Sequence, residues 1–299
     1  LPHYFNSALS KRKNPNPNMK IQNRFPSLLS IDADHAFGHT AGFEAIDKGS
    51  KIAKKYGICA ISVYNSSHPG AMSSIVTRAT EKNLIGIGFT NADSLVLSHN
   101  GVKPFFGTNP ICIAFPRRNK KEPFCLDMAT SKMTWNKLNV LKKINKKLPK
   151  NYAANSSGIS TIDPNKAKSL FPMGDYKGYG LGAAGEVFCS ILSGMPFGIH
   201  LLPMFTSDIS KKRFISQFYI VMRNDFVISK KKFEDSIERL ALEVNSSKTS
   251  HKNKRVLLPN QPEINTMKKR LKTGIPIENS LIKEINILIN NNNLSIRNI

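Results

Sequence analysis

The chain has 299 residues, of which 40% are apolar and 21% charged, enough to bury one large core or two modest ones. No stretch is apolar for long enough to cross a bilayer; the best candidate, residues 179–200, is interrupted by Glu186, several glycines and Pro196. The composition therefore predicts a globular protein without a membrane-spanning segment.

Basic residues greatly outnumber acidic ones: 44 Lys and Arg against 20 Asp and Glu give a net charge of +24. Such an excess is typical of proteins that bind nucleic acid or an anionic surface. Here the basic residues are spread over many short runs that are also rich in Asn and Ile, and few aromatic residues accompany them to stack on bases. This pattern indicates a bias of the coding sequence, and nucleic acid is not the favoured partner.

The four cysteines lie in apolar segments, and no two of them form a CxxC pair. They are Cys59, Cys112, Cys125 and Cys189. We predict buried free thiols rather than a metal site or disulfides. Free thiols favour a reducing compartment, so we expect a cytoplasmic protein.

Apolar residues at helical spacing alternate with short apolar runs in the first half of the chain, which indicates an α/β fold. They predict, in order, a helix over 39–57 that stops at Gly57, a strand over 58–64, a helix over 72–79, and strands over 84–89, 110–116 and 124–128. The second half predicts helices over 179–193, 229–244 and 278–289, with a strand over 214–222.

His68 is a candidate for proton transfer, because it follows a predicted strand and stands just before a predicted helix. Pro69 suits the first turn of that helix. Loops of this kind carry the reacting groups of many α/β enzymes, and a helix N-terminus disfavours a charged imidazole. By position alone, a structural or surface histidine is the commoner explanation.

Lys177 is a candidate for anion binding, since it stands just before the predicted helix over 179–193. A cation there is opposed by the helix dipole, so it would be held for a phosphate or carboxylate; the alternative is a solvated surface lysine. The sequence from Gly178 to Ala183 fits the pattern G-x-G-x-x-A of a Rossmann turn. However, a loop and not a strand precedes it, and the acidic residue expected about 20 positions later is missing. Close packing of the helix explains the glycines better.

Nine short motifs are distributed over nearly the whole chain, and their order is informative. They are Ser67-His68-Pro69-Gly70-Ala71, Leu84-Ile85-Gly86-Ile87 followed by Thr90-Asn91, Gly107-Thr108-Asn109-Pro110, Leu126-Asp127-Met128-Ala129-Thr130, Thr161-Ile162-Asp163-Pro164, Lys177-Gly178-Tyr179-Gly180-Leu181, Ser193-Gly194-Met195-Pro196-Phe197-Gly198, Leu258-Pro259-Asn260-Gln261 and Gly274-Ile275-Pro276-Ile277. Each is weak alone, but together they resemble the malate/L-lactate dehydrogenase family, which includes ureidoglycolate and sulfolactate dehydrogenases.

The resemblance implies an α/β fold with a mixed, largely antiparallel sheet flanked by helices, not a Rossmann fold. It further implies a homodimer with the cofactor between its subunits. We expect one catalytic unit over 1–289, with a cofactor-binding core over about 35–225, C-terminal helices, and a polar tail over 290–299. Residues 274–277 would form the family's closing strand.

The resemblance also implies the activity and its residues. His68 would be the acid/base residue of a dehydrogenase that moves a hydride between NAD or NADP and a small 2-hydroxy or 2-oxo acid, without a metal ion. The residues at the cofactor-binding positions are Ala92, Asp127, Met128, Ala129, Lys177, Gly178, Asn260 and Gln261. The choice among malate, lactate, ureidoglycolate and sulfolactate, and between NAD and NADP, stays open.

The chain departs from the family pattern in three places. Leu1-Pro2-His3-Tyr4 resembles the stretch just after the family's helical Ser-His-Gly…Arg segment, so that substrate-binding segment is expected to be missing. The arginines that we considered as replacements, Arg24, Arg78 and Arg117, do not fall at the matching place. Ser98-His99-Asn100-Gly101 replaces a Pro-x-Gly-Gly loop, and Asn260 replaces a glycine. Two alternatives therefore stay open: a catalytically inactive homologue and, less favoured, a basic nucleic-acid-binding protein.

Overall fold

The computed structural model of the chain describes residues 2–118, 122–251 and 254–292. Its helices are α1 (Pro2–Leu9), α2 (Gly38–Tyr56), α3 (Met72–Thr80), α4 (Trp135–Lys143), α5 (Tyr176–Glu186), α6 (Lys230–Asn245), α7 (Gln261–Thr273) and α8 (Asn279–Asn291). Its strands are β1 (Lys20–Phe25), β2 (Leu28–Asp32), β3 (Ile58–Ser66), β4 (Leu84–Thr90), β5 (Val96–Leu97), β6 (Pro104–Phe106), β7 (Ile111–Phe115), β8 (Phe124–Met128), β9 (Ala153–Ala154), β10 (Ser160–Thr161), β11 (Ser169–Leu170) and β12 (Ile215–Arg223).

The main sheet has seven strands in the order β1-β2-β3-β12-β4-β7-β8. Only β2 and β3 are parallel; every other neighbouring pair is antiparallel. β12, which comes late in the chain, lies at the centre between β3 and β4. This confirms the predicted mixed, largely antiparallel sheet and differs from the parallel sheet of a Rossmann fold.

Helices cover both faces of this sheet. α2 and α3 pack on one face, where the fully buried core includes Ile46, Ile61, Ile75 and Tyr219. On the other face α5 runs on into a π-helical turn, Val187–Ile191. There three rings form a stack, with Phe188 between Phe89 and Phe218 at centroid distances of 5.4 and 4.9 Å. A second sheet of short strands, in the order β10-β9-β11-β5-β6, leads the chain into α5.

Several predicted elements are confirmed almost to the residue. The helix predicted over 39–57 is α2, and Gly57, with φ of 91°, closes it by donating its N–H to the carbonyl of Ala53. The helix predicted over 229–244 is α6, which is capped by the Ser229 hydroxyl. Strong local periodicity and end signals made these elements predictable.

Three local predictions are wrong. α3 begins at Met72, so Pro69 does not lie in its first turn, and Gly70 between them has a non-helical φ of 80°. No strand forms over 274–277, which instead connects α7 to α8. Asn290 and Asn291, assigned to a polar tail, belong to α8, and residues 293–299 of that tail lie outside the described residues.

All four cysteines are buried and free, as predicted. Among the described residues, no group of three or more His, Cys, Asp or Glu side chains is arranged to hold a metal ion. The helices in the same ranges include none with both the length and the apolar character needed to cross a membrane.

Candidate functional site

The loop that carries His68 is fixed by hydrogen bonds to the start of α2 and to β12. Gly38, the first residue of α2, donates its N–H to the Ser67 hydroxyl (2.9 Å), which in turn donates to the carbonyl of Ala36 (2.9 Å). Gln217 in β12 donates its amide to the carbonyls of Gly38 (3.1 Å) and Ser67 (3.4 Å). Because Gly38, Ser67 and Gln217 are buried, the loop is fixed by groups that cannot turn to solvent.

The hydrogen bonds of His68 define its neutral tautomer. Its Nδ1 lies 3.2 Å from the N–H of Gly70 and 2.7 Å from the hydroxyl of Tyr4 in α1. A backbone N–H can only donate, so Nδ1 presents a lone pair and the neutral ring carries its hydrogen on Nε2. Nε2 makes no hydrogen bond within the described residues, so it is available to a ligand.

The environment keeps the His68 imidazole neutral. Burial is the largest cause, and the positive charges of Arg213, Lys13 and His3 add to it, lowering the pKa of His68 to about 4. We expected a neutral ring on the ground of a helix N-terminus. The direction of the shift is the same, but the cause is different, because α3 begins four residues after His68.

Three buried basic side chains line a small cavity beside His68: Arg12, Lys13 and Arg213. The volume of this cavity is about 10 Å³, room for a single water molecule. Arg213 donates Nε to the carbonyl of Leu202 (2.7 Å) and forms an ion pair with Asp93. The His68 imidazole is thus surrounded by basic side chains.

Arg12 and Lys13 differ in how their hydrogen-bond donors are used. Arg12 donates to the carbonyls of Met204 (3.0 Å) and Ser207 (3.3 Å). The Lys13 ammonium lies 3.6 Å above the centroid of the Tyr4 ring and has no hydrogen-bond acceptor in the described part of the chain. Burial, with the charges of nearby guanidiniums, lowers the pKa of Lys13 to about 7.

The arginines considered from the sequence lie elsewhere, as expected. Arg78 pairs with Asp47 (2.7 Å), and Arg117 pairs with Glu238 (2.9 Å). Arg24 belongs to the exposed strand β1. None of the three lines the cavity beside His68.

Among the predicted cofactor-binding residues, Ala92 is connected to α5. Its N–H donates to the side-chain oxygen of Asn109 (3.0 Å). The amide nitrogen of Asn109 donates to the buried carboxylate of Glu186 (2.6 Å), at the end of α5. Lys177 and Gly178 lie at the start of the same helix.

The end of β8 adjoins the start of α5. Ala129 follows Met128, the last residue of β8, and the carbonyl of the next residue, Thr130, accepts the N–H of Met173 (2.8 Å). The carbonyl of Met173 accepts the N–H of Gly178 (2.7 Å). Only glycine fits at this position, since a Cβ would lie 2.6 Å from the Thr130 carbonyl oxygen. The chain that leaves β8 therefore contacts Gly178 through Thr130, one residue after Ala129 and two after Met128.

Lys177 is the second residue of α5, not the residue before a helix as predicted. The helix begins early because Gly174 and Asp175, each with φ of 55°, turn the chain sharply into it. The N–H of Lys177 is bonded to the carbonyl of Gly174 (3.1 Å), and that of Gly178 is bonded as described above. The backbone amides of Lys177 and Gly178 are therefore already hydrogen-bonded, and the exposed ammonium and the helix dipole remain to attract an anion.

Asp127 connects the end of β8 to the helix that follows the His68 loop. Its Oδ2 accepts the N–H of Ser73 (2.8 Å), the second residue of α3, so the carboxylate stabilises the helix that follows the His68 loop. Asp127 is exposed, and its Oδ1 has no hydrogen-bond partner among the described residues. That oxygen is free to accept a hydrogen bond from a hydroxyl group.

Asn260 and Gln261 are not brought next to the other predicted cofactor residues. Asn260 is left-handed, with φ of 79°, as its place in a glycine position suggested, and it donates to the carbonyl of Pro123 (3.1 Å). Pro123 precedes β8, so it is roughly 13 Å along the strand from Asp127 at about 3.3 Å per residue. Gln261 lines a separate cavity of about 420 Å³.

Sequence reasoning missed four residues of the site: Tyr4, Arg12, Lys13 and Arg213. Their contacts with the His68 loop join distant parts of the chain, and no local pattern signals them. The basic run over 211–213 was interpreted as compositional bias. That interpretation fits the exposed Lys211 and Lys212, but Arg213 is buried.

Comparison with known proteins agrees with the fold and with the motif order. The sequence profile of the malate/L-lactate dehydrogenase family matches residues 1–286. A malate dehydrogenase of Pyrococcus abyssi is 31% identical over 296 residues, which cover 96% of this chain and 80% of that protein. The NAD(+) ureidoglycolate dehydrogenase of Escherichia coli is 28% identical over 275 residues, covering 92% of this chain and 78% of that one.

A solved structure shows the same architecture. The sulfolactate dehydrogenase from Methanocaldococcus jannaschii superposes with a TM-score of 0.89 at 28% identity, over 98% of this chain and 84% of that one. Sequence and structure therefore agree over nearly the whole length. The chain belongs to the malate/L-lactate dehydrogenase family, whose members are NAD(P)-dependent dehydrogenases of 2-hydroxy acids.

Proposed function

We propose that this protein interconverts a small 2-hydroxy acid and the corresponding 2-oxo acid, with NAD or NADP as the hydride carrier. The observation that carries the proposal is His68, which lies in a fixed loop with Nε2 unbonded within the described residues. The same loop leads into α3, whose first turn is bonded to the proposed cofactor residue Asp127.

The side chains at the proposed cofactor site suit a dinucleotide. Lys177 presents an exposed ammonium at the start of α5, which is complementary to a pyrophosphate. Asp127 has one carboxylate oxygen free, which is complementary to a ribose hydroxyl. The bound nicotinamide supplies or accepts the hydride. Ala92, Met128, Ala129 and Gly178 contribute backbone around these two side chains, and Asn260 and Gln261 are proposed for a more distant part of the cofactor.

His68 transfers the proton in this proposal. In the reductive direction the imidazolium donates its Nε2 hydrogen to the carbonyl oxygen of the 2-oxo acid, which becomes the hydroxyl. The neutral ring that remains carries its hydrogen on Nδ1, so this state gives up the hydrogen bond from the Gly70 N–H that the resting Nε2 tautomer accepts. Tyr4 suits both states, because its hydroxyl donates to an unprotonated Nδ1 and accepts from a protonated one. An anionic substrate beside the basic cluster offsets the charges that lower the pKa of His68.

Cofactor binding and turnover test the proposal separately. Titration by NADH or NADPH fluorescence should show saturable binding, weakened in Lys177→Ala. Lys231→Ala is the matched control, because Lys231 is also an exposed second residue of a helix. His68→Ala should lower turnover of 2-oxo acids by roughly a hundredfold or more, with cofactor affinity unchanged. A wild-type protein that binds neither dinucleotide would overturn the proposal.

We also propose that the protein is a homodimer. Apolar side chains are exposed along α5 and its π-helical continuation, at Leu181, Val187, Ile191 and Leu192. Such a surface favours burial against a second copy. Sedimentation equilibrium at micromolar concentration tests this, and Leu192→Glu should weaken the dimer. A wild type that sediments as a monomer, with the same mass as Leu192→Glu, would contradict the proposal.

The cellular location that we propose is the cytoplasm. The four thiols are free, which supports a reducing compartment. Cell fractionation with an antibody to the protein tests the proposal.

A further inference from the structure

The basic cluster beside His68 carries more positive charge than its partners balance. Of its three members, Arg213 alone is bonded to a carboxylate, that of Asp93. Arg12 donates only to backbone carbonyls and one hydroxyl. Lys13 has no acceptor within the described residues. Two of the three cations therefore lack a bonded anion.

The isolation of Lys13 is energetically unfavourable in the free protein. Only 3% of the residue is exposed, and its ammonium nitrogen is buried. The face of Tyr4 offers a cation–π contact worth about 0.5–2 kcal/mol, whereas removing an ammonium from water costs several kcal/mol. A ligand that brings negative charge to the cavity would compensate for this cost.

We propose that Lys13 and Arg12 bind the two anionic groups of the substrate, and that the enzyme therefore selects acids that carry two such groups. This inference rests on the proposed function and specifies its substrate class. The preferred 2-oxo or 2-hydroxy acid carries a second carboxylate or a sulfonate. Its two negative charges match the two cations that lack a bonded anion, Lys13 and Arg12, whereas a monoanion leaves one of them uncompensated.

The substrate reaches this cluster by displacing one wall of the cavity. The cavity of about 10 Å³ is too small for an acid group, and Met204 forms part of its lining. Met204 belongs to the segment 201–214, which contains no helix or strand. Arg12 is bonded to this segment at Met204 and Ser207. Outward movement of the segment enlarges the cavity and frees the donors of Arg12 for the anion.

Ligand-induced stabilisation tests the inference without turnover. The melting temperature is measured with malonate, a dianion that cannot be reduced, and with acetate at equal ionic strength, with and without NADH. Malonate should stabilise the wild type more than acetate does. The difference should vanish in Lys13→Met, persist in part in Lys13→Arg, and be unchanged in Lys11→Met, because Lys11 is exposed on the same segment.

The variants are chosen so that the result is decisive. Lys13→Met should fold, because it replaces a buried unpaired ion by an apolar chain of similar length. If it does not fold, Lys13→Gln takes its place in the same comparison. A malonate effect that survives the loss of the ammonium, or no malonate effect in the wild type, overturns the inference.

Kinetics separate this inference from the proposed function. The wild type should have a higher kcat/KM for oxaloacetate than for pyruvate, and Lys13→Met should lower the oxaloacetate value by about ten- to hundredfold while changing the pyruvate value little. Equal kcat/KM values for the two acids would overturn the inference about Lys13 and leave the proposed dehydrogenase function standing. A protein that neither binds a dinucleotide nor reduces any 2-oxo acid refutes the proposed function, and the malonate comparison then decides on Lys13 alone.

Discussion

Replacement of Gly38 by alanine tests whether the position of His68 depends on the start of α2. A Cβ at Gly38 would lie 2.6 Å from the carbonyl carbon of His68 and 2.7 Å from the Cα of Pro69, and still closer to the carbonyl oxygen of Ser67. All three are backbone atoms, which cannot move aside as the end of a flexible side chain does. Gly38 does not have a positive φ, so the conflict is one of space alone.

The size of the effect follows from these distances. Ordinary contact begins at 3.4 Å, so the His68 loop and α2 must separate by at least about 0.8 Å (3.4 − 2.6), and by more at the carbonyl oxygen of Ser67. A misplacement of about 1 Å costs up to roughly a hundredfold in rate, and overpacking of a buried site costs about 1–3 kcal/mol of stability. We therefore expect turnover of Gly38→Ala to fall by about ten- to hundredfold.

The assay is dinucleotide oxidation with 2-oxo acids, run beside urea unfolding and cofactor titration. Cofactor affinity should stay close to that of the wild type, because the proposed cofactor residues lie outside the clash. Gly185→Ala is the matched control: its Cβ would have no atom nearer than 3.8 Å, and alanine should raise helix stability by about 0.5–1 kcal/mol. A Gly38→Ala protein with wild-type turnover and stability would refute the proposed dependence of His68 on α2.

Two further predictions concern stability. The free energy of unfolding should fall as the pH falls from about 6.5 toward 4, because His68 binds a proton at its usual pKa of 6.5 when unfolded but only near 4 when folded. In urea unfolding, His68→Gln should weaken the dependence of the unfolding free energy on pH by about 1.4 kcal/mol per pH unit. An unaltered dependence would mean that other groups cause it. Tyr219→Phe removes the hydroxyl that donates to the buried amide oxygen of Gln217 (2.6 Å), so its unfolding should require about 1–3 kcal/mol less. An unchanged urea midpoint would mean that Gln217 finds another donor.

The sequence predicted the elements whose signals are local. α2 has apolar residues at helical spacing and a terminal glycine, and β3 is a continuous apolar run. β1 was missed because all six of its residues, Lys20–Phe25, are exposed, so it lacks the alternation that marks a half-buried strand. The pairing of β12 with both β3 and β4 is set by the packing of the whole sheet, which no local pattern records.

The same division applies to the candidate site. His68, Asp127 and Lys177 lie in contiguous motifs, which made them visible in the sequence, although their proposed roles stay predictions. Tyr4 and Lys13 reach the site from a segment more than fifty residues before His68. Their part in it depends on tertiary contacts, and single lysines and tyrosines carry no signal of such contacts.

The central place of β12 has a consequence for synthesis of the protein. β3 and β4 are complete once residue 90 has been made, but the strand that separates them begins at residue 215. At about 5–20 residues per second, the ribosome needs roughly 6–25 s for the 125 residues from 91 to 215. During that interval two long, apolar strand edges have no partner, and an unpaired edge invites pairing with another chain. Nascent chains that stop before Arg223 are therefore expected to aggregate or to depend on chaperones, whereas chains that include β12 close the sheet.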